Sequence, residues 1–175
     1  MTRFFFAVLT LAVLANGGIT TKPVERAEGD GGSGQQSIQG AWQAVEITLT
    51  GPNARTITMR EPRANLMIFT AKHYSRVEDQ AEKPRPAIAD TARASADELR
   101  ATWGPFVGEA GTYELSADNL ITMRPIVSKN PAVMGAGISI TYSLKREGNT
   151  MWVTQVRNQS GPFANPFTIK VVRIE

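Results

Sequence analysis

Short runs of alternating apolar and polar residues fill the chain from about residue 41 to its end, separated by glycine, proline, asparagine and aspartate. The clearest run covers residues 138–145, where Ile, Ile, Tyr and Leu alternate with Ser, Thr, Ser and Lys. A period of two with one apolar side is typical of a half-buried strand. The pattern predicts eight strands, over residues 41–50, 64–70, 73–78, 109–116, 119–127, 137–146, 149–157 and 166–174.

One stretch has helical rather than strand periodicity. Ser95 and Glu98 have the spacing of a capping box, and Leu99 and Trp103 follow on a common face. Because this stretch comes after a proline-broken loop, we expect residues 79–105 to form one insertion that contains a short helix.

Eight strands with hairpin connections can close on themselves, and closure removes the exposed edges of a sheet. We therefore predict an all-β fold, an eight-stranded antiparallel up-and-down barrel with one short helix in an insertion. A β-sandwich fits the strand number equally well. However, only closure brings Trp42, at the start of the first strand, against Arg173, at the end of the last. A guanidinium over an indole there would gain about 1–2 kcal/mol and close one end.

The same residues carry a resemblance to a known family. Gly40-Ala41-Trp42, then Gly111-Thr112-Tyr113, then a late Arg173 resemble, in this order, the lipocalins and the looser bacterial lipocalin-like domains. The resemblance covers about residues 38–175 and implies a barrel that holds a small hydrophobic molecule. The chain departs from the animal carriers because it has no helix after the last strand, no disulfide, and its helix at mid-chain.

The N-terminal residues predict export. Arg3 supplies a positive start, an apolar stretch follows to Ala15, and small residues follow it, as in a signal peptide. We expect residues 1–17 to be the signal peptide, 18–37 a flexible linker rich in glycine, and 38–175 the barrel domain. The apolar stretch is short for a membrane span, although a short anchor is the alternative. A periplasmic or secreted protein is predicted, stabilised without disulfides because the chain has no cysteine.

Charge and motifs narrow the function classes. Basic residues exceed acidic ones by only three, without a long basic run, so we expect no nucleic-acid partner. His73 is the only histidine and has no partners at metal-ligand spacing, so neither a metal nor another cofactor is predicted. No nucleophile or phosphate-binding motif occurs, and no catalytic residue is assigned.

The predicted lumen is apolar with a few polar groups, as small-ligand sites are. Two-residue turns after Arg146 and Ala117 would direct one side of each following strand inward, although a one-residue change would reverse that set. The candidate ligand-binding residues are Tyr113, Arg124, Tyr142, Gln155, Arg157, Ile140, Met151 and Val153. In the first strand, strict alternation from an inward Trp42 would place the later apolar residues outside the barrel. Either a bulge near Ala44 turns them inward, or the insertion covers them on the outer face.

Three functions follow from this pattern. The first is an exported binding protein for a small hydrophobic or amphipathic molecule, either with or without a carboxylate group. The second is a small-barrel isomerase or cyclase acting on a lipid-like substrate, with Tyr113, Glu109 or Glu114 in proton transfer or charge stabilisation. The third is an envelope structural or interaction protein whose barrel is packed with its own side chains.

Overall fold

A computed structural model describes residues 37–58 and 64–175 of this protein. The predicted signal peptide, and the predicted linker up to residue 36, lie outside the described residues. The compact unit spans Ile38–Glu175.

The described residues contain ten strands, one α-helix and two short 3-10 turns, at Gly51–Asn53 and Pro131–Val133. The helix, α1, covers Ala96–Trp103. The strands are β1 Gly40–Leu49, β2 Arg55–Thr58, β3 Asn65–Phe69, β4 His73–Asp79, β5 Phe106–Leu115, β6 Leu120–Ser128, β7 Ile140–Glu147, β8 Thr150–Asn158, β9 Gly161–Pro162 and β10 Phe167–Arg173.

Eight of these strands close into an antiparallel barrel. The order is β1, β3, β4, β5, β6, β7, β8 and β10, and β10 returns to pair with β1. The predicted eight-stranded barrel is confirmed, and the sandwich is excluded. Two short strands were not predicted: β2 extends the sheet beside the last residues of β1, and β9 pairs with the end of β8.

A bulge in β1 reconciles Trp42 with the residues after it. Trp42 pairs with Arg173 and Ala44 with Val171, but Glu46 then pairs with Lys170, so Val45 is the extra residue. One extra residue reverses the alternation of a strand. The first of the two predicted explanations is therefore correct.

The core is the inside of the barrel. Inward side chains of successive strands meet there and exclude water, which is the main contribution to the stability of such a fold. The buried apolar residues are Ile38, Trp42, Phe69, Tyr74, Ile121, Met123, Tyr142, Met151, Val153 and Val171.

Two junctions between neighbouring strands are short. β1 pairs with β3 over Gly40–Trp42 only, and β6 pairs with β7 over four residues, Leu120–Met123. Where β1 and β3 part, the Asn65 side chain accepts a hydrogen bond from Ala44 N (2.7 Å) and donates one to Ala44 O (3.2 Å). The Asn65 side-chain amide thus replaces the backbone partner that Ala44 lacks. The two short junctions divide the barrel into two halves of four strands each.

The helix has the predicted cap. Ser95 Oγ accepts a hydrogen bond from Glu98 N, and the Glu98 carboxylate accepts one from Ser95 N (2.8 Å). Leu99 and Trp103 remain 37% and 49% exposed, so the predicted apolar face is not packed into the core. Within the described residues, no helix has both the length and the apolar character needed to cross a membrane.

Candidate functional site

One end of the barrel is closed by aromatic and cationic side chains. The Arg173 guanidinium lies 4.4 Å from the Trp42 ring centroid, and that of Arg146 lies 5.4 Å from it. Trp42 Nε1 donates a hydrogen bond to Ile38 O (2.8 Å). Gly40 has φ +126° and a Cβ there would overlap the Arg173 guanidinium, which explains the glycine two residues before the tryptophan. Trp42 is fully buried here, so its ring fills this end of the lumen.

Charged side chains face the middle of the lumen. Tyr74, Arg76 and Glu78 share the inner face of β4, and Arg76 pairs in register with Glu109 of β5. The Tyr74 hydroxyl donates a 2.6 Å hydrogen bond to Glu109 Oε1. Burial, and then this bond to a carboxylate, raise the pKa of Tyr74 well above its ordinary value. The tyrosine therefore stays neutral and holds the carboxylate in place.

Arg76 is the unusual group in this interior. Its Nε is buried and has no hydrogen-bond partner, while the residue as a whole remains partly exposed. Burial acts to lower the pKa of Arg76, but Tyr142, Glu109 and Glu78 outweigh it, and the pKa is raised above its ordinary value. The side chain is thus a fixed cation with an unused donor, and a buried unsatisfied donor costs about 1–3 kcal/mol.

Little empty space surrounds this cation. The enclosed cavity has a volume of about 20 Å³. That is close to the space one water molecule needs. Its lining is mainly apolar and comprises Met67, Phe69, Arg76, Glu109, Ile121, Met123, Tyr142, Leu144, Val153 and Ile169.

Six of the eight predicted ligand-binding residues lie on the inner face of the barrel. Tyr142, Met151 and Val153 are buried, and Ile140 and Tyr113 pack against the core. Gln155 pairs with Tyr142, and its Oε1 accepts a 3.4 Å hydrogen bond from Phe167 N. These six do not converge on one point, because the Tyr113 hydroxyl donates to Thr70 O (2.6 Å) near the closed end.

The prediction that Arg124 points inward is wrong. Leu115 pairs with Ile121, so the turn that joins β5 and β6 has three residues rather than two, with Asn119 at φ 56°. A left-handed residue is typical of three-residue hairpin turns. The extra residue turns Ile121 inward and Arg124 outward, where Arg124 forms a 3.1 Å ion pair with Glu114. Leu120 and Thr122, which a two-residue turn after Ala117 would have directed inward, face outward for the same reason.

Arg157 also lies outside, against the prediction. Tyr142 pairs with Gln155 but Thr141 pairs with Arg157, so Val156 is an extra residue in β8. The shift reverses the strand at that point, and Arg157 is exposed. Neither misplaced arginine contributes to the lumen.

Arg76 and Tyr74 were missed by the analysis of the sequence, although their strand was predicted. Val77, the apolar residue beside Arg76, is 40% exposed and faces outward. Judged by residue type alone, the apolar Val77 would face inward and the charged Arg76 outward. The useful signal was the hairpin register, since Phe69 pairs with Tyr74 and both are buried.

A larger crevice lies beside the point where β1 and β3 part. Its volume is about 410 Å³. Arg85 lies at its wall, in a 2.7 Å ion pair with Asp79 and with its guanidinium 5.1 Å from the Phe106 ring centroid. The residues that line it are Gln43, Ala64, Asn65, Leu66, Val77, Glu78, Asp79, Arg85 and Phe106.

The described residues contain no group of three His, Asp or Glu side chains that could hold a metal ion. His73 is exposed at the start of β4, where its carbonyl oxygen accepts a hydrogen bond from Thr70 N (2.9 Å). The histidine thus lies in a turn at the closed end, away from the lumen charges.

Comparison with known proteins assigns neither a family nor a function to this chain. No protein-family model matches the chain, and no curated protein matches it.

Proposed function

We propose that the barrel binds a small amphipathic molecule with a carboxylate group, and that Arg76 binds this carboxylate. The observation that carries the proposal is the buried Arg76 Nε without a hydrogen-bond partner, beside a cavity whose lining is mainly apolar. A guanidinium can donate two parallel hydrogen bonds to one carboxylate, which gives both affinity and orientation. The resemblance to lipocalin-like domains supports the same proposal.

The neighbours of Arg76 favour a ligand with a single negative charge. Glu109 is held by Tyr74, and Glu78 lies one inward position farther from the closed end. A second negative charge on the ligand would meet these carboxylates and be repelled. The apolar part of the ligand would lie against inward residues such as Ile140 and Met123.

Binding requires the lumen side chains to move, since the cavity holds about 20 Å³. Met67 and Met123 line it, and unbranched methionine side chains change shape at low cost. Arg76 is partly exposed, so its side chain can be reached from solvent.

The test is calorimetric titration with straight-chain carboxylic acids and with the alcohols of equal length. We expect the acids to bind at least about tenfold more tightly than the alcohols, because a hydrogen bond to a charged group contributes about 1.5–3 kcal/mol. R76M should lower acid affinity by the same factor. The matched control, R157M, removes an outward arginine and should leave affinity within about twofold. Equal affinities for acids and alcohols, or no binding by folded protein, would overturn the proposal.

A second candidate is an isomerase or cyclase, favoured by the position of Glu109. This carboxylate faces the lumen and accepts a hydrogen bond from Tyr74, as a positioned general base would. Tyr113 is less suited, because its proton is donated to Thr70 O. An unsaturated acid that binds should then be converted to a double-bond isomer, because Glu109 would take a proton from one carbon next to the double bond and return it to another. NMR detects the isomer, and E109Q should abolish conversion without weakening binding. Recovery of unchanged acid after long incubation would reject this function.

The third candidate, a packed interaction barrel, is favoured by the small cavity. It predicts that no acid of any length binds, and that affinity capture from the cell envelope recovers a protein partner. Acid binding that depends on Arg76 would exclude it.

A further inference from the structure

A tryptophan on the outer face of the barrel has no role in the core. Trp152 lies between Met151 and Val153, both buried, so its side chain points away from the lumen. The sheet packs on one face only at this position, and folding does not require a large aromatic residue on the other face. An outward tryptophan on a sheet is the kind of residue that contributes most to binding surfaces.

Two lysines flank this tryptophan on neighbouring strands. Lys145 of β7 and Lys170 of β10 pair in register with Trp152. Their ammonium groups lie 5.3 Å and 5.7 Å from the ring centroid. The three strands are each about 5 Å apart, so the two lysine backbones are separated by about 10 Å across the indole. The result is a strip in which an aromatic ring has a lysine on each side.

A row of hydroxyl groups runs beside the strip. Two residues along each strand, Ser143, Thr154 and Thr168 occupy the same outer face in register with one another. Thr154 and Thr168 share a hydrogen bond of 2.8 Å, and Thr48 of β1 continues the row. Hydroxyls both donate and accept, so the row offers hydrogen bonds to a polyhydroxylated ligand.

The charges on this face are weakly engaged. Lys145 Nζ lies 2.8 Å from Glu147 Oε1, with both side chains mostly exposed, and Glu46 pairs in register with Lys170. Exposed ion pairs contribute only about 0–1 kcal/mol, so a polyanion can compete for the lysines. Together the strip and the row present cations, an aromatic ring and hydroxyls on one surface.

From this arrangement we infer that the outer face formed by Lys145, Trp152, Lys170 and the adjoining hydroxyl row binds an acidic polysaccharide. The lysines bind uronate carboxylates, the indole packs against the apolar face of a sugar ring, and the hydroxyls bind sugar hydroxyl groups. The surface is distinct from the lumen and does not depend on the function proposed for Arg76.

The test is titration of the protein with an oligogalacturonate and with the neutral galactose oligomer of equal length. The acidic oligomer should bind at least about tenfold more tightly, and its affinity should fall as salt is added. W152A should lower that affinity at least about tenfold, as loss of a central tryptophan does. The double variant K145Q/K170Q should have an effect of the same size.

Two control variants separate this surface from general effects. R93Q/R100Q removes the same net charge from exposed residues elsewhere, and W103A removes an exposed tryptophan of α1. Both should leave affinity within about twofold. The inference is overturned if R93Q/R100Q weakens binding as much as K145Q/K170Q, or if W152A has no effect. It is also overturned if phosphatidylglycerol vesicles bind through these residues while the oligogalacturonate does not, because the surface would then recognise a membrane.

Discussion

At the scale of single residues, the Trp42–Arg173 contact shows how the two ends of the sheet are held. Arg173 lies over the indole and also donates a 2.6 Å hydrogen bond to Gln39 O. Both interactions join the last strand to the residues at the start of the first. Arg173 therefore adds side-chain contacts to the backbone pairing that joins β1 and β10.

We expect R173M to lower the free energy of unfolding by about 1–3 kcal/mol. The substitution keeps an apolar stem but removes a cation–π contact of about 1–2 kcal/mol and a charged hydrogen bond. Urea unfolding measures the change. R124M removes an exposed ion pair and should change stability by less than about 0.5 kcal/mol. Equal effects of the two substitutions would contradict the role assigned to Arg173.

Tyr74 and Tyr142 give stability a dependence on alkaline pH. Burial raises the pKa of both in the folded barrel, whereas the unfolded tyrosine ionises near pH 10. Below that pH both states are neutral and the stabilising contribution is complete. Above it the unfolded state loses protons that the folded state retains, so the free energy of unfolding falls by about 1.4 kcal/mol per pH unit for each tyrosine.

The measurement compares wild type with Y142F by urea unfolding from neutral pH to about pH 11. Whatever offset separates the two proteins at neutral pH, the wild type should lose an additional 1.4 kcal/mol or so per unit above pH 10. A difference that stays constant across this range would show that the Tyr142 hydroxyl ionises as freely in the barrel as in the unfolded chain.

At the scale of elements, register determines which side chains meet, and register was the least predictable feature. All eight barrel strands and the capped helix follow from periodicity and turn residues. The inward faces after the β5–β6 turn and at the end of β8 do not. An extra residue in a turn or a bulge leaves the apolar pattern intact but exchanges the two faces, as Arg124 and Arg157 show. Arg76 was missed because its charge argues against burial, and only its strand partners place it inside.

A third bulge, in β6, explains Gly111. β6 has an extra residue, Ile126, opposite Ala110 and Gly111, and the Arg124 carbonyl oxygen lies directly against the glycine Cα. A Cβ there would overlap that oxygen, which belongs to backbone and cannot move aside independently. The glycine is thus required by the close approach of two strands.

We expect G111A to lower the free energy of unfolding by more than about 2 kcal/mol, or to prevent folding. G135A is the matched control, because its added Cβ would meet only Ile138 Cγ1 at 3.4 Å. That change should cost less than about 1 kcal/mol. Thermal melts of the two purified proteins provide the measurement, and a G111A protein as stable as G135A would contradict the account of the bulge.

At the scale of the whole molecule, the stable body is the barrel that begins at Ile38. Ile38 is buried, and its carbonyl oxygen accepts the Trp42 indole hydrogen bond. Because the sequence predicts a signal peptide and a flexible linker before the barrel, a chain that starts at Ser37 should unfold within about 1 kcal/mol of the full chain. A chain that starts at Ala41 lacks the buried Ile38 and the Gln39 carbonyl oxygen that accepts a hydrogen bond from Arg173. It should be less stable by about 2–4 kcal/mol. Differential scanning calorimetry of the three chains tests the difference, and equal melting of the two shortened chains would refute it.

The short β1–β3 and β6–β7 junctions lie opposite one another around the barrel, with four strands on either side. Every long hairpin lies within one half. Widening the lumen at the end opposite Trp42 would therefore break few backbone hydrogen bonds. The circumference of the barrel can thus change by movement of its two halves, which the Asn65 side chain holds together at the β1–β3 junction. Amide protons along these two lines should exchange with solvent sooner than those inside either half.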